Sequence, residues 1–169
     1  GCVKMKHIGK IRSMASVYLR RDDKLLLLFR QGNSIVSNLW IGSAGGHFEE
    51  AELRDARTCV LRELFEELSI REDSLGDLSL RYVTIRYANN ELRQNYYFFA
   101  NLRDGIDDNL SSNEGKLQWF PLDAISELEM PHSAKYVMKH YSKEGRFSDK
   151  MYTGVTNAEN VSFVELPES

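Results

Sequence analysis

The chain has 169 residues, enough for one domain with a real core. Its formal net charge of −3 argues against a general nucleic-acid binder or attraction to an acidic membrane, and its longest apolar run, Leu25 to Phe29, is far too short to span a bilayer. The N-terminal stretch carries lysines without an apolar signal core, and Cys2 and Cys59 are not expected to pair, so a reducing cytoplasm is the expected compartment.

Ser13 to Leu19 alternates loosely and reads as a strand. Arg21-Asp22-Asp23-Lys24 is a polar turn, and Leu25 to Arg30 reads as a strand buried on both faces. Gln31 to Asn38 is a polar loop. Leu39-Trp40-Ile41 is a short strand leading into Gly42-Ser43-Ala44-Gly45-Gly46, where Gly45-Gly46 reads as a turn whose small residues allow close approach of backbone to a ligand. A helix starts near Asp55 and carries Leu61-Arg62-Glu63-Leu64-Phe65-Glu66-Glu67-Leu68. Leu78 to Tyr87 and Leu92 to Ala100 are long strands flanking Ala88-Asn89-Asn90-Glu91, a good hairpin turn. Tyr96-Tyr97-Phe98-Phe99 reads as a core strand, with one Tyr ring available to a cleft. Asn101 to Gly115 is a polar, acidic, mobile loop. Lys116 to Phe120 is a strand stopped by Pro121, and Leu122 to Ile125 begins a short helix. Pro131 opens a helix through about Tyr141 that ends before Gly145. Lys150 to Val155 and Asn160 to Leu166 form a last hairpin. The expected organisation is an N-terminal extension over 1–12, a domain over 13–145 and a C-terminal hairpin extension over 146–169. The extension is read as a cap on the domain or as a contact in a homodimer.

The acids of the first helix carry the chemistry. At about 100° per residue, with Glu63 at zero, Glu67 lies near +40° and Glu66 near −60°, while Leu61, Leu64, Phe65 and Leu68 fall between about +100° and +200°. One side is apolar and the adjoining arc is anionic. Acids three and four apart repel by roughly 0.2–0.5 kcal/mol per pair, and Arg62 offsets only part of that. A cation among them relieves the rest. Oxygen-only ligands suit magnesium or manganese, and no Cys/His cluster at zinc spacing is present.

Gly46, Glu52, Arg62-Glu63-Leu64-Phe65-Glu66-Glu67 and Ile70 resemble the Nudix signature, Gly-x5-Glu-x7-Arg-Glu-U-x-Glu-Glu-x-Gly-U with U apolar. There are two departures: nine residues rather than seven separate Glu52 from Arg62, and Ser69 stands in place of the final Gly. The extra pair is read as a longer loop. The string Glu114-Gly115-Lys116-Leu117-Gln118-Trp119 is similar to the closing part of such domains. The resemblance implies an α/β (α+β) fold, a mixed sheet sandwiched between helices. It implies that Glu63 and Glu67 are the main metal ligands and that Glu66 binds a second metal or orients water. The carbonyl of Gly45 or Gly46 completes the metal's surroundings, and Arg62 pairs with Glu52 to hold the loop. A plain i,i+4 pair of Arg62 with Glu66 is the alternative. The general base is a helix Glu or Glu114. His47, Arg30, Arg81, Arg86 and Arg93 are candidate phosphate or ribose contacts, and Trp40 with Tyr96 or Tyr97 are candidate stacking partners for a base.

The function implied is metal-dependent hydrolysis of a diphosphate linkage in a nucleoside di- or triphosphate derivative. MutT-like cleavage of nucleoside triphosphates is favoured and ADP-ribose is the runner-up. Trp40-Ile41-Gly42-Ser43-Ala44-Gly45-Gly46-His47 also resembles isopentenyl-diphosphate isomerase, but Gly45 replaces its proton-transferring Cys. A non-catalytic nucleotide-binding module is the third reading, and it usually lacks helix acids that this chain keeps. The expected partner is a small nucleotide, with no nucleic acid or membrane.

Overall fold

The computed structural model describes residues 9–30, 38–157 and 159–169. The expected loop over 31–37 and the first eight residues of the N-terminal extension lie outside them. Nine strands form one mixed sheet: β1 (Lys10–Arg21), β2 (Lys24–Arg30), β3 (Leu39–Gly42), β4 (Ala44–His47), β5 (Leu75–Ala88), β6 (Glu91–Leu102), β7 (Lys116–Pro121), β8 (Met151–Thr156) and β9 (Val161–Leu166). Two helices complete it, α1 (Ala56–Leu68) and α2 (His132–Lys143). The order across the sheet is β3-β2-β1-β6-β5-β8-β9, with β4 on β1 and β7 on β2. β1 runs parallel to β6 and β5 parallel to β8, and the other pairs are antiparallel.

The turns follow from their residues. Asn89 and Asn90 both adopt positive φ, 55° and 59°, as a two-residue hairpin between twisted strands requires. Asp22 does the same at the β1–β2 turn with φ 54°. Pro131 caps α2, and Gly145 lies past its end.

The period-two alternation of β1 and β6 sends side chains to two cores. Val17, Leu19, Phe98 and Ala100 meet Cys59, Val60, Leu64 and Leu68 of α1. Tyr18, Tyr97 and Phe99 meet Ala134, Val137, Met138 and Tyr141 of α2 on the other face. The layered α+β sandwich is therefore as expected.

Two expectations change, and the C-terminal hairpin forms as expected. Gly45 and Gly46 do not form a turn: they belong to β4 and pair with Ser16 and Ala15 of β1. The segment after β6 is a loop, yet it packs Ile106 and Leu110 against the α1 core, and the Trp119 Nε1 donates to the Asp108 carbonyl at 2.9 Å. The C-terminal hairpin is built into the sheet through β5, and Tyr152 and Phe163 pack on the α2 core. Among the described residues no helix is long and apolar enough to cross a membrane.

Candidate active site

Local capping fixes the helix that carries the acids. Glu49 donates its backbone N–H to Glu52 Oε1 at 2.9 Å within a capping box around the 3₁₀ turn Glu50–Glu52. Asp55 then caps α1, accepting from Thr58 N at 3.1 Å and from its hydroxyl at 2.7 Å. The two additional residues of the loop thus end where the sequence places the helix start. Ser69 closes α1 in the left-handed region with φ 57°, the conformation that glycine adopts most readily. Phe65 departs from the expected apolar arc: it is 47% exposed, with the Arg71 guanidinium 4.6 Å above its ring.

Arg62 ties the N-terminal part of the site together. Its Nε donates to Glu52 Oε2 at 2.7 Å and its Nη2 to Glu52 Oε1 at 2.9 Å, a bidentate pair. Nη1 reaches Glu63 at 2.9 Å and Glu66 at 3.0 Å, and lies 3.5 Å from Glu49. Nη2 also donates to the His47 carbonyl at 3.2 Å. The Glu52 pair and the Glu66 pair, posed as alternatives by the sequence, both exist. Glu49 is a partner the spacing did not suggest. Glu52 is buried, and the hydrogen bonds from Arg62 hold its carboxyl below the usual range.

Glu67 has different neighbours. Its Oε2 accepts the Gly45 N–H at 3.2 Å. Burial, then the charge of Glu63, pushes its pKa up to about 8, and Glu114 adds to the effect. Glu63 lies directly over Gly46, where any Cβ would collide with its carboxylate. This is the physical use of glycine at that position: the β4 backbone and the α1 carboxylate approach more closely than a side chain allows. Glu114 arrives from the loop before β7 and is held by Arg30 Nη2 at 3.2 Å. Glu63 and Glu67 therefore lie against β4, and the Glu114–Arg30 pair is near enough for the charge of Glu114 to act on Glu67. Among the described residues no three His, Cys, Asp or Glu side chains already converge as a set able to hold a metal ion. Glu63 and Glu66 face Arg62, and Glu67 faces a backbone N–H.

Other candidates lie elsewhere. His47 points to Arg12, 3.0 Å away at Nε2, and burial followed by the charge of Arg12 lowers its pKa. Trp40 packs with Phe29 and Phe120 on the α2 face of the sheet, so it does not stand at the acids. Tyr97 is core on that same face, whereas Tyr96 sits on the α1 face against Phe48, ring centroids 5.4 Å apart. Arg93 pairs with Glu91 at 2.9 Å, and Arg81 is buried toward the C-terminal segment. Cys59 is fully buried, and desolvation, reinforced by Glu52, pushes its thiol up to about 12, which leaves no thiolate for proton transfer.

A family model of the NUDIX domain matches residues 10–141, from the first residue of β1 into α2. The chain belongs to the NUDIX family. Solved structures agree in fold. A MutT protein from Bacillus halodurans superposes with a TM-score of 0.63 at 22% identity, over 94% of this chain and 99% of that one. The ORF135 protein of E. coli gives 0.63 at 22% identity over 83% and 96%. A C. elegans Ap4A hydrolase gives 0.61 at 17% identity over 82% and 99%. No curated protein matches the chain in sequence. As a NUDIX hydrolase the protein acts on pyrophosphate bonds.

Proposed function

We propose that this NUDIX hydrolase uses magnesium or manganese to cleave the diphosphate linkage of nucleoside di- or triphosphate derivatives, with nucleoside triphosphates as the favoured substrates. The observation that carries this is the placement of Glu63 and Glu67 against the β4 glycines, with the charge of Glu114 also acting on Glu67. There Glu67 is raised to about 8 because burial and like charge act on it together. Such a site has an excess of negative charge and only oxygen donors, which fits a hard divalent cation. Glu63 and Glu67, with Glu66 and a carbonyl of Gly45 or Gly46, would hold it. When bound, the ion supplies charge neutralisation at phosphate oxygens and a lowered pKa for water.

The chain's own residues do the rest. Arg62, clamped by Glu52, fixes the rotamer of Glu63 and the position of the loop. The Gly45 N–H orients Glu67. Glu114, steadied by Arg30, accepts the proton of the attacking water, and the Arg30 guanidinium is the group that would meet a phosphate oxygen. Tyr96, half-buried beside Phe48, offers an aromatic edge on the same face. The buried thiol of Cys59 and the glycine at position 45 speak against isomerase chemistry.

The test is a panel of nucleoside triphosphates, 8-oxo triphosphates, ADP-ribose and dinucleoside polyphosphates with magnesium, products resolved by chromatography. Nucleoside monophosphate with pyrophosphate is expected from the triphosphates. Cleavage of a diphosphate lacking any nucleoside, and of none of these, would overturn the substrate class. In the same assay Glu114→Gln should lower kcat without weakening metal affinity. An unchanged kcat returns the base role to the helix acids.

A further inference from the structure

A second group of cations lies far from these acids. Arg81 on β5 is only 8% exposed, yet among the described residues it has no ion pair with a carboxylate. Its Nε donates to the Lys150 carbonyl at 2.8 Å and its Nη2 to the Gly145 carbonyl at 2.7 Å. A guanidinium carries five N–H donors, so three remain. Buried charges are normally neutralised by a partner, because carbonyl dipoles replace only part of the lost hydration. Arg81 lines a cavity of about 400 Å³ together with Arg20 and Arg146. The Arg146 Nε is buried without any hydrogen-bond acceptor. Arg20 spends Nη1 on the Tyr141 hydroxyl at 2.8 Å and lies 3.6 Å from the exposed Asp23.

Three acids also line this cavity, Asp22, Asp77 and Asp149, and all three are exposed. Arg81 therefore forms the floor, Arg20 and Arg146 stand half-buried beside it, and the acids make the solvated rim. Rim charges are screened by water and offset little of a buried charge. Phe99 and Tyr141, both core residues on the α2 face, close the apolar wall. The cavity opens on the face of the sheet opposite α1. Along β1, Arg20 lies about 16 Å beyond Ala15, the residue paired with Gly46, at roughly 3.3 Å per residue.

We propose that this cavity is a second binding site, separate from the catalytic acids, for a compact phosphate-type oxyanion held by Arg81, Arg146 and Arg20. Planar guanidinium forks match the oxygens of such an anion, free or as the end of a small ester. The site rests on none of the assignments made for the acids.

Calorimetric titration of the full chain with inorganic phosphate and with AMP, in the presence of a chelator, tests it. Saturable binding at one site is expected. Arg146→Gln should weaken it at least tenfold, and Glu67→Gln should leave it unchanged. Tighter binding of AMP assigns the site to a phosphate ester, and equal or tighter binding of inorganic phosphate assigns it to the free anion. The proposal is overturned by no binding of either probe. It is equally overturned by wild-type affinity in a folded Arg146→Gln protein or by loss of binding in Glu67→Gln.

Discussion

Glu52 and Glu67 are two glutamates withdrawn from solvent beside the same helix, and their surroundings are opposite. Glu52 receives two N–H groups from Arg62 and one from its own loop, and its carboxyl is held ionised. Glu67 receives a single backbone N–H and faces Glu63 and Glu114, and its carboxyl is pushed up to about 8. A saturated ion pair is a structural clamp. A half-buried acid crowded by other acids carries uncompensated like charge, and perturbed groups of that kind mark functional sites more often than structural ones. One end of the site holds the fold, and the other end is where we place the metal and the chemistry.

The contrast breaks first in activity. Glu67→Gln should lower turnover roughly 10²–10³-fold, the scale of losing one preorganised electrostatic contact. Melting temperature should stay level or rise, because a repelling group has gone. Steady-state kinetics and a thermal melt check both halves, and near wild-type turnover would remove Glu67 from the site. Glu52→Gln should show the reverse emphasis. Removing one partner of a buried pair costs about 3 kcal/mol, or on the order of 10 °C in Tm. Arg62 keeps Glu63 and Glu66, so some order in the loop survives.

pH separates the two residues further. Glu67 binds its proton more tightly folded than unfolded, so metal-free protein should lose stability as pH rises from 4.5 to about 8 and then level off. Glu52 has a lowered folded pKa, so its contribution is present above 4.5 and is lost as pH falls through that lower value. Melts across pH in chelator should show the alkaline-side decline vanish in Glu67→Gln and the acid-side decline shrink in Glu52→Gln. The smallest effect concerns neither carboxylate. Ser69 pays the left-handed strain that glycine avoids, so Ser69→Gly should stabilise by about 0.5–1 kcal/mol with turnover unchanged. A stability loss would mean the serine side chain has a role the backbone geometry does not reveal.

What was legible in the sequence was local. The helix start near Asp55, Asn89-Asn90 as a hairpin and Pro131 as the start of α2 each follow from the chemistry of one or two residues. The Glu52–Arg62 pair followed from the family resemblance and spans a short loop. What was hidden depended on distant partners. Gly45-Gly46 became a strand because Ala15 and Ser16 lie alongside, and that pairing overrides the turn signal of the two glycines. Trp40 looked close to the acids in sequence, yet the sheet separates them because successive strand residues face opposite layers. The parallel pairing of β8 with β5 joins segments about seventy residues apart, and nothing within either strand announces it. Glu114 needed both: a loop position read from sequence and an Arg30 partner that only the fold supplies.

The central claim is that a divalent cation binds at Glu67. Titration of manganese into wild type and Glu67→Gln, followed by loss of the free-ion electron paramagnetic resonance signal, tests it most directly. The account predicts binding to the wild type and affinity weakened at least about tenfold in the variant, a loss on the scale of a disturbed metal site. Equal manganese affinity in the two proteins, with wild-type turnover surviving exhaustive chelation, would contradict it.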